Sequence, residues 1–357
     1  AAWRRSAQSS RSAPRVPPRA VAVCQAHPAP DCRRPTSRVA DRLAGRARVT
    51  QPSLYGRWTM SEAKADELIK KADKAVAPGL FRLKPHWEKA IPLYEEAANH
   101  YRTCKAYRKA KLAFEKAAEG QERVGTSYSA AKLVEQAAQM AQKEGASAAD
   151  VAGFYRQCRT LYVEAGRSTV GAEALARGAK ALESLDADTA VRLYLDAIET
   201  LEEEGADVHA AEHFRAAISF LARTGRYNDL VPMMLRFAVS CEQCKATSSM
   251  RKAYLGAVVV ALYMEDLTLA TQTYGDVSVV PGFSDSSECR AAERLILAYE
   301  EADVDAIKTT VQMHEFTALD VAIARLARKL PRDEVKLQEL AQLANDGGPP
   351  LDEDDLT

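Results

Sequence analysis

A small residue, a bulky one three or four positions on and a second small one three or four further recur along this 357-residue chain. In "RKAKLAFEKAAE" (108–119) the triplet is Ala110/Phe114/Ala117; upstream, "EKAIPLYEEAAN" (88–99) carries Ala90/Tyr94/Ala97; downstream, "SAAKLVEQAAQ" (129–139) carries Ala130/Val134/Ala137. Ala190/Tyr194/Ala197 and Ala210/Phe214/Ala217 continue the beat, and Ala152/Tyr155/Cys158 and Ala172/Leu175/Ala179 are looser copies. Such spacings put all three residues on one helix face. Alanine at two of them lets a neighbouring helix approach, and the bulky residue fills the groove. About 20 residues hold one helix and a turn, so two units make a helical-hairpin repeat of roughly 40. One unit cannot bury its apolar face alone, so copies stack. The pattern predicts an all-α helical-hairpin solenoid. An alanine-rich bundle with accidental similarity is the alternative, and the near-register of the copies counts against it.

Hydrophobic residues make up 47% and charged residues 27%, an ordinary globular composition. The longest apolar stretch, "AYLGAVVVALYM" (253–264), is too short to span a bilayer. The net charge of zero hides an asymmetry: residues 1–59 hold 12 Arg, no Lys and only Asp31 and Asp41 as acids. Taking these from 49 basic and 49 acidic residues leaves 37 and 47, so the main body has a net charge of −10. That argues against nucleic-acid binding, where a basic footprint is expected. The seven cysteines have no regular spacing, which suits a reducing compartment better than a disulfide framework.

Residues 1–59 are rich in Arg, Ala, Pro and Ser and lack helical periodicity. A transit peptide, a disordered tail and sequence translated upstream of a start at Met60 all fit; the absence of Lys before an abrupt helical pattern favours the last. A first helix is expected from Ser61 to Ala77, broken by "APGLFRLKP" (77–85). Repeat helices follow from Trp87 to Phe237, with turns at 120–127, 143–148, 164–169, 184–188, 202–207 and 223–229, where Gly, Asp, Ser or Asn stand. Past about 245 the triplet fades into further helices, a loop at 279–290 and a final basic helix at 320–330. "GGPP" (347–350) then leads into "LDEDDLT".

Catalytic signals are weak. There is no Gly-rich phosphate loop after a strand. Cys241 and Cys244 form a lone CxxC, short of the four ligands of a structural zinc site. His209 and His213 are four apart on a helix without a third ligand and read as solvated surface residues. Glu95/Glu96 and Glu202–Glu204 read as solvated helix faces. No catalytic residue, metal or cofactor is expected, and the chain reads as a scaffold that binds partners. Two features are less bland. Leu80, Phe81 and Leu83 are apolar in a Pro-Gly turn flanked by Arg82 and Lys84; the turn either folds back to cap the first repeat or presents a hydrophobic tip to a bilayer interface. Asp352, Glu353, Asp354 and Asp355 precede Leu356; they either solubilise the end or carry an apolar residue to a partner's pocket.

At "AIPLYEEAANHYRTCKAYRKAKLAFEKAA", "PGFSDSSEC", "LAYEEADVDA" and "DEDDL" the chain resembles the soluble NSF attachment proteins (SNAPs), from Met60 to Thr357. "GLFRLKPHWEKAIPLYEEAA" looks most like the gamma branch, whereas the acidic end with a penultimate Leu looks more like the alpha and beta branches. The resemblance implies a right-handed, twisted sheet of TPR-like antiparallel helical hairpins ending in a C-terminal helical bundle. It implies an adaptor, not an enzyme: cytoplasmic, peripheral to membranes, wrapping a SNARE four-helix bundle of the syntaxin type and recruiting the N-ethylmaleimide-sensitive fusion ATPase. By the same resemblance Leu356 stimulates the ATPase; Glu300 and Glu301, with Asp352, Glu353, Asp354 and Asp355, face its basic domains; and Leu80, Phe81 and Leu83 form the membrane-attachment loop. Lysines that face the SNARE bundle in the alpha branch do not carry over, because Glu173 and Glu212 stand in their place. Arg108, Lys109, Arg156, Arg159 and Arg167 are the substitute candidates. The expected organisation is a disordered or non-native leader (1–59), a repeat domain (60–245), a helical bundle (246–345) and a flexible acidic tail (346–357). A generic TPR-like scaffold without an ATPase partner is the alternative function.

Overall fold

Helix after helix turns back on itself with the period seen in the sequence. The structure, a computed structural model, describes residues 54–77 and 85–338. Its helices are α1 (Leu54–Val76), α2 (Trp87–Thr103), α3 (Tyr107–Val124), α4 (Ser127–Glu144), α5 (Ala148–Glu164), α6 (Ser168–Leu182), α7 (Ala187–Glu203), α8 (Asp207–Thr224), α9 (Tyr227–Gln243), α10 (Thr247–Tyr263), α11 (Leu267–Ser278), α12 (Ser287–Glu300), α13 (Val304–Thr310), α14 (His314–Thr317) and α15 (Val321–Ala327). Consecutive helices from α1 to α11 pack as neighbours, giving the expected all-α array of hairpins.

The turn geometry explains the period. A residue with left-handed backbone closes the turn at Lys105, Gly125, Gly145, Gly166, Gly205, Gly225, Lys245 and Glu265, on or within one residue of a 20-residue spacing. A left-handed residue after a helix lets the next backbone N–H groups reach back to the last carbonyls. Ala146 N donates to Ala141 O at 3.0 Å, and Ala246 N to Cys241 O at 2.8 Å. The α6–α7 turn differs: Glu183 stays right-handed, and Asp186 caps α7 by accepting from Asp188 N and Thr189 N.

Every residue of the seven triplets is buried. Where the bulky residue is tyrosine, the ring fills the groove, and in two helices the hydroxyl donates to a carboxylate from the preceding helix or its cap: Tyr94 to Asp73 at 2.6 Å and Tyr194 to Glu183 at 2.8 Å. A buried phenol left without an acceptor would cost about 1–3 kcal/mol. The cores form two contiguous clusters, one from Ala65 to Ala174 and the other from Ala138 to Leu337, which overlap through α4–α6. The second centres on α10, buried from Ala253 to Tyr263, so the triplet pattern fades where a helix is apolar on all sides.

Three boundaries differ from expectation. Helix α1 begins at Leu54, so the division drawn at residue 59 falls inside an element. Leu54–Thr59 contains no proline, and an established helix extends at small cost per residue. Gly120 lies within α3 and not in a turn; a Cβ there would come 2.7 Å from Ile91 Cγ1, so this glycine serves close packing on α2. The segment 320–330 is helical only over Val321–Ala327, and residues 334–338 are helical again.

Candidate functional site

Ion pairs across this scaffold join alternate helices, and they decide which charges remain available. Lys109 reaches Glu62 at 2.9 Å and Asp66 at 3.4 Å, and Lys116 reaches Asp73 at 2.8 Å, tying α3 to α1. Arg156 meets Asp196 at 2.7 Å and Arg159 meets Glu203 at 3.1 Å, tying α5 to α7. Arg236 of α9 pairs with Glu202 of α7. The other set behaves alike: Arg177 of α6 meets Glu135 of α4 at 2.7 Å, and Arg223 of α8 meets Glu183, which caps α6, at 2.5 Å. The Tyr101 hydroxyl and then the Lys109 ammonium, against the opposing effect of burial, hold the Asp66 carboxyl below its ordinary range. Glu202 and Glu203 are therefore engaged between helices, as is Glu96 with Lys64 at 3.0 Å, where full solvation was expected.

Of the five basic candidates, the structure pairs Arg156 with Arg159 on α5 and Arg108 with Lys109 at the start of α3, and it sets Arg167 apart before α6. Lys109, Arg156 and Arg159 are largely neutralised by their partners. Arg108 is exposed and only 4.0 Å from Glu144, and the exposed Arg167 side chain has no ion pair among the described residues.

Glu173 and Glu212 come together. They line a groove of about 370 Å³ between α6 and α8 with Arg177, Lys180, His209 and His213. His209 is exposed as expected, but His213 is half-buried in this groove; burial pushes its imidazole pKa down, and Glu212 and Glu173 oppose that. Burial also raises the Cys241 thiol to about 11, so it stays protonated and packs as an apolar group. Among the described residues no three His, Cys, Asp or Glu side chains gather to hold a metal, and no helix is long and apolar enough to cross a membrane.

Glu300 is the last residue of α12 and Glu301 its C-cap; Ala302 follows with left-handed backbone, and Asp303 caps α13 through Ala306 N at 2.9 Å. Neither glutamate forms an ion pair among the described residues. A helix C-terminus carries partial negative charge, so acids there are unfavourable by about 0.3–1 kcal/mol each. The placement does not serve the stability of α12. Leu80, Phe81 and Leu83, and likewise Asp352, Glu353, Asp354, Asp355 and Leu356, lie outside the described residues. The residues flanking the first segment are tied together, since His86 N donates to Ala75 O at 3.0 Å. That segment therefore leaves and rejoins the fold at one end of the α1–α2 hairpin.

One feature was invisible in the sequence. Arg215 and Lys252 line a cavity of about 230 Å³ whose walls come from α8, α9, α10 and the stretch around α14 and α15. Residues some hundred positions apart meet there, so no local spacing announces it.

The family model "Soluble NSF attachment protein, SNAP" matches residues 63–322. A gamma-soluble NSF attachment protein of Arabidopsis thaliana is 41% identical over 82% of this chain and 98% of its own length. One of Dictyostelium discoideum is 31% identical over 74% of this chain and 82% of its own. An alpha-soluble NSF attachment protein of Mus musculus is 22% identical over 78% and 98%.

Proposed function

Because the chain belongs to the soluble NSF attachment protein family and resembles its gamma members more than its alpha members, we propose that it is a non-catalytic adaptor of vesicle fusion. In this reading it binds SNARE complexes of the syntaxin type and recruits and stimulates the N-ethylmaleimide-sensitive fusion ATPase, which then takes the SNARE bundle apart. The observation that carries the reading is the family match over residues 63–322, laid along a continuous array of helical hairpins. Roles at residue level are part of the proposal. Glu300 and Glu301 dock on the ATPase, supported by their unpaired, dipole-opposed placement at the end of α12. Asp352 to Asp355 add long-range attraction, and Leu356 stimulates turnover. Leu80, Phe81 and Leu83 engage the membrane, which makes the protein a peripheral one. Arg108 and Arg167 are better SNARE contacts than Lys109, Arg156 and Arg159, whose charges are spent between helices.

Pull-down from a detergent extract of membranes tests this. SNAREs and the ATPase should be retained with a non-hydrolysable nucleotide and released on ATP hydrolysis. Retention of neither under the first condition would favour a helical scaffold without an ATPase partner.

A further inference from the structure

The cavity between α8, α9, α10 and the α14–α15 stretch has an apolar lining of Ile218, Met234, Phe237, Ala253, Leu319 and Ile323. Arg215, Lys252 and Asp320 add charge to it. Asp320 is already engaged, accepting from Ala322 N at 3.2 Å to cap α15. Arg215 is exposed, with its guanidinium 5.7 Å from the centre of the Phe237 ring, and Lys252 is half-buried. Neither cation forms an ion pair among the described residues. The volume is ample for a branched aliphatic side chain, and the two cations suit an acidic backbone beside it.

The chain carries such a segment, and the described fold ends within reach of the cavity. Arg332 Nη1 donates to Tyr263 O at 3.1 Å, and Lys336 Nζ lies 2.9 Å from Glu265 Oε2, so residues 332–336 sit at the C-terminal end of α10. Lys252 lies eleven residues back along that helix from Tyr263, about 16 Å at a rise of about 1.5 Å per residue. Residues 339–350 can span up to roughly 40 Å when extended. Asp352, Glu353, Asp354, Asp355 and Leu356 follow. Leu351 is the other leucine there, but it directly follows Pro349 and Pro350, whose fixed backbone angle restricts its entry into a cavity.

We propose that this cavity is a docking site, within the same molecule, for the chain's own acidic segment, with Leu356 in the apolar lining and the carboxylates of residues 352–355 on Arg215 and Lys252. The proposal does not depend on the segment's role at the ATPase. Tethering makes weak affinity sufficient. A short linker gives an effective concentration on the order of 1 mM, so an intrinsic Kd of about the same size leaves the segment docked about half of the time.

Carbodiimide coupling of the full chain at low micromolar concentration, read by mass spectrometry of the monomer, tests the proposal. The reagent joins a lysine amine to a touching carboxylate, so an amide between Lys252 and one of residues 352–355 is expected. The Lys336–Glu265 contact serves as internal control. Arg215→Glu or Leu356→Ala should lower the yield of the Lys252 link at least about twofold while the control is unchanged. Replacing Asp352, Asp354 and Asp355 by Asn and Glu353 by Gln should speed hydrogen exchange at amides 249–253 by about twofold, the value for half-time docking. A control link without the Lys252 link, or a yield indifferent to both variants, overturns the proposal. A Lys252 link found only in the covalent dimer overturns it too, and assigns the cavity to a second copy.

Discussion

The same substitution at two glycines of one hairpin should move stability in opposite directions. Gly153 and Gly178 lie inside α5 and α6, helices that pack on each other. A Cβ added at Gly153 meets nothing within 4 Å, so Gly153→Ala gains the helix preference of alanine, about 1 kcal/mol. A Cβ at Gly178 lands 2.5 Å from Tyr155 Cγ and Cδ2 and 3.1 Å from its Cβ. The Tyr155 ring is 3% exposed and cannot swing aside, so overpacking of about 1–3 kcal/mol opposes the same gain of about 1. The net for Gly178→Ala is a loss of up to about 2 kcal/mol. At about 2 °C per kcal/mol for a chain of this size, Gly153→Ala should raise Tm by about 2 °C and Gly178→Ala should lower it by up to about 4 °C. Circular dichroism melting reads both, and hydrogen exchange should place the loss first in α5 and α6, since repeats couple mainly to their neighbours. Combining Gly178→Ala with Tyr155→Leu should recover part of the loss as a double-mutant coupling. If both glycine variants shift Tm in the same direction, close approach at Gly178 is not what fixes α6 on α5, and the account of small residues in the repeat fails.

Reversing Glu300 and Glu301 to Lys should reduce co-sedimentation with the ATPase and at the same time raise Tm slightly, because cations suit a helix C-terminus by about 0.3–1 kcal/mol each; a loss of recruitment accompanied by unfolding would remove the argument. Leu356→Ala should leave the adaptor–ATPase complex assembled and lower stimulated ATP hydrolysis, and hydrolysis at the wild-type rate would remove the role of Leu356 at the ATPase. Changing Leu80 and Phe81 together to Ser should weaken liposome-assisted SNARE disassembly while binding to soluble SNAREs persists; equal loss in both assays would point to a capping role for that turn. Full burial of the two side chains is worth about 3–6 kcal/mol at most, so several copies on one complex should matter more than one.

The array was legible because its signal is local. Ala110, Phe114 and Ala117 lie within one helix, and their spacing alone sets a common face. Gly120 marks a false turn for the same reason: a glycine that admits Ile91 looks in sequence like one that ends a helix. Residue type was insufficient for the charges. Arg156 and Arg159 read as free basic residues until Asp196 and Glu203, some 40 positions away, are known to stand on the next helix but one. Nothing short of the packing could reveal that, nor the meeting of Arg215 with Lys252. His213 reads as solvated in sequence because the opposite wall of its groove, with Glu173, Arg177 and Lys180, belongs to α6.

The left-handed residues at 20-residue intervals also set where this gene can tolerate change in length. An extra residue within a helix such as α3 would rotate all that follows in it by about 100°, since a turn takes about 3.6 residues, and would carry Phe114 or Ala117 out of its groove. The same insertion between Gly145 and Ala148 would fall in the connection, where neighbouring helices keep their faces. The α6–α7 turn closes on the Asp186 side-chain cap without a left-handed residue, so its length depends on that cap. Surviving insertions and deletions should therefore cluster at the other turns, and the helices should behave as blocks of indivisible length.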